Sequence, residues 1–281
     1  MWALVIAGFS GCSIYDPEER VPAYIQVDSA SFITNSGTGF NTSNITEVWL
    51  FVNNQSVGIY SIPTGKIPVL AEGNATISVS PGVFTDGVTA NKVLYPFYSQ
   101  YSIQTKLEKS KLTKIKPTFG YGSDVYIPFK FYQDFETSDT GIITSGRGTV
   151  SLTRSTITDP ALETQYGKRF GRFTTQNDAD IIDFSSVAYL PMRQNGMPVY
   201  LEFDYQSTCQ VVVGVTGLNA KQPYHDLVLR PKDTWTKIYV SLSDETQNFG
   251  SGEKFRFYFS SVSAPGANQS FMIDNIRLIY F

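Results

Sequence analysis

His225 is the single imidazole in a chain of 281 residues, and that alone narrows the chemistry. A zinc site built from several histidines is excluded. Any Ser-His-Asp relay would have to run through Pro223-Tyr224-His225-Asp226, and no Gly-x-Ser-x-Gly elbow exists to supply its nucleophile. The triplet Asp178, Asp180 and Asp183 offers the hard oxygens that calcium takes. It lacks the glycine and closing glutamate of a helix-loop-helix calcium loop, so a solvated loop is the plainer reading. Tyr189, Tyr224 and Trp235 are the rings available to stack on the apolar face of a sugar, with Tyr189 and Tyr224 in segments that read as loops. Two cysteines, Cys12 and Cys209, exclude a disulfide framework and a four-thiolate zinc site, leaving one conceivable bridge.

The elements that must position these groups are strands. With 17 Tyr and 20 Phe against 4 Met, the composition favours pleated sheet, and the length suits two domains. The expected fold is all-β, two β-sandwich domains in series. From Ala23 to Thr118 short strands alternate with turn residues, most clearly the hairpin Glu47 to Val52 and Ser56 to Ile62 around Asn53-Asn54-Gln55, where asparagine tolerates positive φ. The glycine-rich run Phe119 to Ser123 reads as part of a linker over 119–124. In the segment 125–281, Val199, Leu201, Phe203 and Tyr205 share a face, as do Val211, Val213 and Val215, then Ile238, Val240 and Leu242, then Phe255, Phe257 and Phe259. Phe271 to Phe281 is an apolar strand with Asp274-Asn275 set inside it.

With 22 basic residues against 25 acidic ones the net charge is −3, which provides no field for a polyanion and sets nucleic acid aside as a partner. Lys106, Lys109, Lys111, Lys114 and Lys116 form a local basic run. Lysines on edge strands discourage sheet-to-sheet pairing, and that role is expected here.

The opening apolar run Trp2 to Phe9 is too short to cross a membrane, and Ser10-Gly11-Cys12 follows it. This resembles a bacterial lipoprotein signal with Cys12 as the acylated residue, residues 1–11 as the signal peptide and 12–22 as the tether. Asp16, Glu18 and Glu19 in that tether resemble the acidic export signal of Bacteroidota-type surface lipoproteins. The resemblance implies a lipid-anchored outer-membrane protein facing the cell exterior.

Three short motifs, Asp134-Phe135-Glu136, Trp235 to Val240 and Phe271 to Leu278, resemble the jelly-roll β-sandwich of galactose-binding-like and carbohydrate-binding modules. In that family Glu136 and Asp274 would help hold a structural calcium, and Trp235 would be a buried structural ring. Glu47 to Val52 and Tyr95 to Tyr98 are similar to an immunoglobulin-like domain, here over 23–118. Jelly-roll glucanases carry a Glu, Asp, Glu strand motif, of which Glu202-Phe203-Asp204 reproduces the first half. Ser207 stands where the second catalytic glutamate belongs, so Glu202 and Asp204 read as the wet face of a strand and no hydrolase is expected. The functional expectation is a non-catalytic accessory or scaffold subunit of an outer-membrane β-barrel complex. The alternative is a surface lipoprotein that captures glycans for uptake.

Overall fold

The computed structural model describes residues 19–34, 39–122, 131–192, 196–219, 223–247, 249, 252–262 and 264–281. Cys12 and the acidic residues Asp16 and Glu18 lie outside these. Within them no helix is long and apolar enough to cross a membrane.

The first sandwich contains β1 (Ala23–Val27), β2 (Ser31–Phe32), β3 (Glu47–Val52), β4 (Gln55–Ser61), β5 (Ile67–Val69), β6 (Gly73–Phe84), β7 (Lys92–Leu94), β8 (Tyr101–Leu107), β9 (Leu112–Ile115) and β10 (Thr118–Phe119). One sheet runs β4-β3-β6, and β6 carries β8 along its first part and β7 along its last. The other sheet is β5-β1-β9, and both contribute to one core through Ile25, Val27, Ile67, Val48, Leu50, Ile77 and Val79. The expected hairpin is present as a two-residue turn. Asn53 and Asn54 have φ of 50° and 63°, the pair of left-handed residues that matches the twist of adjoining strands.

The second sandwich contains β11 (Phe131–Gln133), β12 (Ile142–Thr144), β13 (Thr153–Thr156), α1 (Pro160–Tyr166), β14 (Arg169–Thr174), β15 (Asp183–Ser186), β16 (Val199–Ser207), β17 (Val211–Gly217), β18 (Pro223–Leu229), β19 (Lys232–Ser241), α2 (Ser243–Gln247), β20 (Phe255–Ser261) and β21 (Ser270–Tyr280). Its sheets are β13-β14-β21-β16-β19, with β11 also on β21, and β12-β15-β20-β17-β18. The four apolar rows expected from alternation all enter its core.

The apolar positions of β21 change parity, from Phe271 and Ile273 to Ile276, Leu278 and Tyr280, all in the core. A bulge makes the change. Opposite β16, Glu202 pairs with Arg277 while Asp204 pairs with Asp274, so β21 holds one extra residue, and Asn275 adopts φ 48° there. Asp274 and Arg277 consequently face the same side as Glu202 and Asp204.

That side is covered by the first sandwich. Tyr200, Tyr239 and Ile279 of the second sandwich belong to the apolar cluster of the first. Thr85 forms a bridge with Tyr239, and Asp86 N donates to Tyr239 O at 2.9 Å. The segment read as a linker is corrected as far as Gly122: Phe119 and Tyr121 are buried, Tyr121 bridges Tyr98, and Gly122 N donates to Phe97 O. Its glycines serve close packing. Gly120 leaves no room for a side chain beside the Ile33 carbonyl.

Candidate functional site at the domain junction

The outer face of β16, β19 and β21 presents Glu202, Asp204, Lys237 and Arg277, all buried, beneath Thr42, Tyr95 and Tyr121 of the first sandwich. Tyr95 donates to Glu202 Oε1 at 2.5 Å and Tyr121 donates to Oε2 at 2.8 Å. Lys237 Nζ stands 3.5 Å from Glu202 and 3.7 Å from Asp204, and Arg277 Nη1 stands 3.8 Å from Glu202. Thr42 donates to Asp204 at 2.8 Å, and Arg277 Nη2 reaches the Phe40 carbonyl at 2.8 Å. The reading of Glu202 and Asp204 as a wet face is therefore overturned. Strand alternation showed that the two carboxylates share a side, but not that a second domain covers it.

Two carboxylates and two cations balance formally, and burial sets the direction of each shift. It raises the Asp204 carboxyl against the opposing pull of Lys237, and it lowers the Lys237 ammonium. Burial also raises the Tyr95 and Tyr121 phenols, with the Glu202 charge adding to the rise, so both remain hydrogen-bond donors. For Arg277 burial works against the charge, but Tyr121, Glu202 and Asp204 outweigh it and the group is held charged. A sealed carboxylate pair engaged in this way cannot reach a glycosidic bond. What it does is fix one sandwich against the other, because losing either partner would strand a buried charge.

Beside this lock the two domains form the walls of a cleft of about 640 Å³. The loop from Phe84 to Thr89 makes one wall, and the ends of β18 and β19 make the other. Phe84, Val88, Leu227 and Ile238 supply apolar surface, while Asn44, Asp86, Thr89, Arg230, Lys232 and Thr236 supply polar groups. Two of the polar groups are held in place: Asn44 Nδ2 donates to Lys237 O at 3.1 Å, and Asp86 Oδ1 accepts from Ser241 N at 3.1 Å. Such clefts favour domain interfaces. No local pattern announces this one, since its walls come from segments over a hundred positions apart.

The residues singled out from sequence are not brought together, and none of the three aromatic candidates lines the cleft. Arg256 lies over the Tyr189 ring, 4.2 Å from its centroid. Tyr224, on β18, meets Phe249 edge-on at 4.8 Å and packs on the second core. Trp235 is half-buried on β19 in the other sheet, stacked on Tyr166 at 5.4 Å with Phe170 against its edge. The side chain of His225 lies outside the described residues.

Glu136 Oε1 accepts from Lys168 N and Arg169 N at 2.7 and 2.9 Å, and Asp274 Oδ1 accepts from Asn275 N at 2.7 Å. Asp274 Oδ2 is buried with no partner among the described residues. Burial raises this carboxyl well above the ordinary range, and the charges of Asp204, Asp134 and Glu136 add to the rise. No group of three His, Cys, Asp or Glu side chains suited to a metal ion occurs among the described residues. The second acidic set is dispersed into backbone capping: Asp180 accepts from Gln176 N and Asn177 N, Asp178 from Ala267 N, and Asp183 binds the Ser145 and Ser260 hydroxyls. Four lysines of the basic run are paired, Lys106 and Lys111 with Glu108, Lys109 with Glu72 and Lys114 with Asp28.

Fold and site together define a two-sandwich β protein with a cleft at its domain junction. No family model and no curated protein matches the chain. Among solved structures it is similar to the family 29 carbohydrate-binding module CBM29-2, at 15% identity over 53% of this chain and 82% of that one, with a TM-score of 0.35. It is similar to the family 11 module of Clostridium thermocellum in complex with a mixed-linked tetrasaccharide, at 13% identity over 53% and 94% of the two chains, TM-score 0.34. A third structure, of carbohydrate-binding modules from the β-sandwich superfamily, shares 11% identity over 93% and 99%, TM-score 0.39.

Proposed function

We propose that this protein is a non-catalytic saccharide-binding protein whose ligand lies in the junction cleft. The observation that carries the reading is the cleft itself. A pyranose presents C–H faces and a dense ring of hydroxyls, and the cleft brings together apolar and polar side chains, of which Asn44 and Asp86 are held by hydrogen bonds. The buried network below holds those walls in one arrangement, so binding need not order them. Acylation at Cys12 would tether the protein to the outer membrane, with the cleft outside, as the acidic tether suggests. The scaffold role on a β-barrel complex, drawn from that anchor, the two sandwiches in series and the lack of a catalytic constellation in the sequence, is set second.

The test is titration of the purified protein against a broad panel of oligosaccharides, beside Thr89→Trp. Thr89 is an exposed residue of the cleft wall, so an indole there would fill the space without entering either core. Binding by the parent and loss in the variant, at equal melting temperature, are expected. A panel with no binder overturns the proposal.

A further inference from the structure

The charged side chains of the cleft are unequal in what they already do. Lys237 is committed to Glu202 and Asp204. Asp86 is directed at the Ser241 amide. Arg230 and Lys232, one residue either side of Pro231 at the turn from β18 to β19, are exposed and form no ion pair among the described residues. This contrasts with the lysines of the first sandwich, five of which have carboxylate partners. Asp233, next along the chain, is not part of the cleft lining. A protein of net charge −3 thus keeps two uncommitted cations in the lining of its junction cleft.

We infer that the cleft selects an acidic saccharide, with the carboxylate of a uronate residue held between Arg230 and Lys232. This rests on the saccharide-binding reading and narrows it. A guanidinium offers two parallel N–H donors that match the two oxygens of a carboxylate, and an ammonium beside it adds a point charge with freely oriented donors. The C–H faces of the same sugar meet Phe84 and Val88 across the cleft, so the charge sets which saccharide binds and the apolar wall sets that a saccharide binds.

The experiment is calorimetric titration of the full chain with an oligogalacturonate and with its fully methyl-esterified form, at low and high salt. Esterification removes the charge and keeps the ring, which isolates the inferred contact. The acid is expected to bind about tenfold or more tightly than the ester, the worth of a hydrogen bond to a charged group. Its affinity should fall as salt rises. Arg230→Gln and Lys232→Gln should each erase most of that preference while retaining the parent melting temperature. Equal binding of acid and ester, or a preference for the ester, overturns this inference and leaves saccharide binding standing. A preference for the acid that survives both substitutions overturns it as well. Failure of every acidic and neutral saccharide in the wider panel overturns the underlying proposal instead.

Discussion

Arg277 stands opposite Glu202 across β21 and β16, Nη1 to Oε2 at 3.8 Å, with neither side chain exposed to solvent. The pairing depends on the one-residue bulge at Asp274-Asn275, without which Arg277 would turn into the core of the second sandwich. Replacing Arg277 with Met leaves Glu202 with Lys237 and the two tyrosines, and the site with an excess of negative charge. Breaking a buried pair on one side costs about 3–5 kcal/mol, so Arg277→Met should lose stability of that order in equilibrium urea unfolding. A loss below about 1 kcal/mol, the range of an exposed pair, would show that the network does not lock the domains.

Asp274 gives a prediction about pH. Its carboxyl is raised by burial, so it holds a proton more tightly folded than unfolded. Its contribution is full at acid pH and is lost as pH rises from the ordinary value of 3.8 through the folded one. Asp274→Asn removes that dependence. The variant, a neutral isostere of the protonated acid, should match the parent in acid and exceed it at neutral pH by about 1.4 kcal/mol for each pH unit that burial adds to the carboxyl. The measurement is thermal unfolding across pH, with calcium and with chelator. If calcium is instead held by Glu136 and Asp274, the parent will gain melting temperature on adding calcium and Asp274→Asn will lose that gain.

The short helix α1 packs Leu162 and Tyr166 in a small apolar cluster with Trp235 of β19 and Met272 of β21. Asp159 caps it by accepting from Ala161 N at 2.9 Å, Pro160 begins it, and Gly167 ends it. Its last residue, Tyr166, is the ring on which Trp235 stacks. Asp159→Ala should cost about 1 kcal/mol and unseat Tyr166. Tryptophan fluorescence should redden before global unfolding in the variant and not in the parent. A single coincident transition in both proteins would show that the cap does not hold the ring.

How much of this was legible depends on which interaction fixed each feature. The strands and both cores follow local alternation, so the rows on β16, β17, β19 and β20 could be read directly. The parity change from Ile273 to Ile276 was also visible, although its meaning was not. The cap signals Asp159, Pro160 and Gly167 around α1 are present in the sequence, but a helix of seven residues carries too little apolar periodicity to stand out beside them. The domain junction was beyond reach: Glu202 and Asp204 look like the solvent face of a strand until Tyr95 and Tyr121, about a hundred residues earlier, are placed over them. For the same reason the cleft leaves no local signal, whereas Tyr189 and Tyr224 stand out in the sequence as rings among turn residues.

Those tyrosines supply the last prediction, because structure and sequence point to different residues. The Tyr189 ring already faces the Arg256 guanidinium, whose Nη2 is anchored on the Val187 carbonyl at 2.6 Å. Removing the ring forfeits one cation–π contact, about 0.5–1 kcal/mol. Tyr224 packs against Phe249 and the second core, so Tyr224→Ala should cost about 1–3 kcal/mol as a partial loss of buried ring. Both variants should bind saccharide as the parent does, while Thr89→Trp should keep its stability and lose binding. Affinity electrophoresis in polysaccharide gels beside thermal melts separates the two effects in one protein series. If Tyr189→Ala or Tyr224→Ala abolishes retardation with an unchanged melt, the saccharide lies on the rings of the second sandwich and not between the domains.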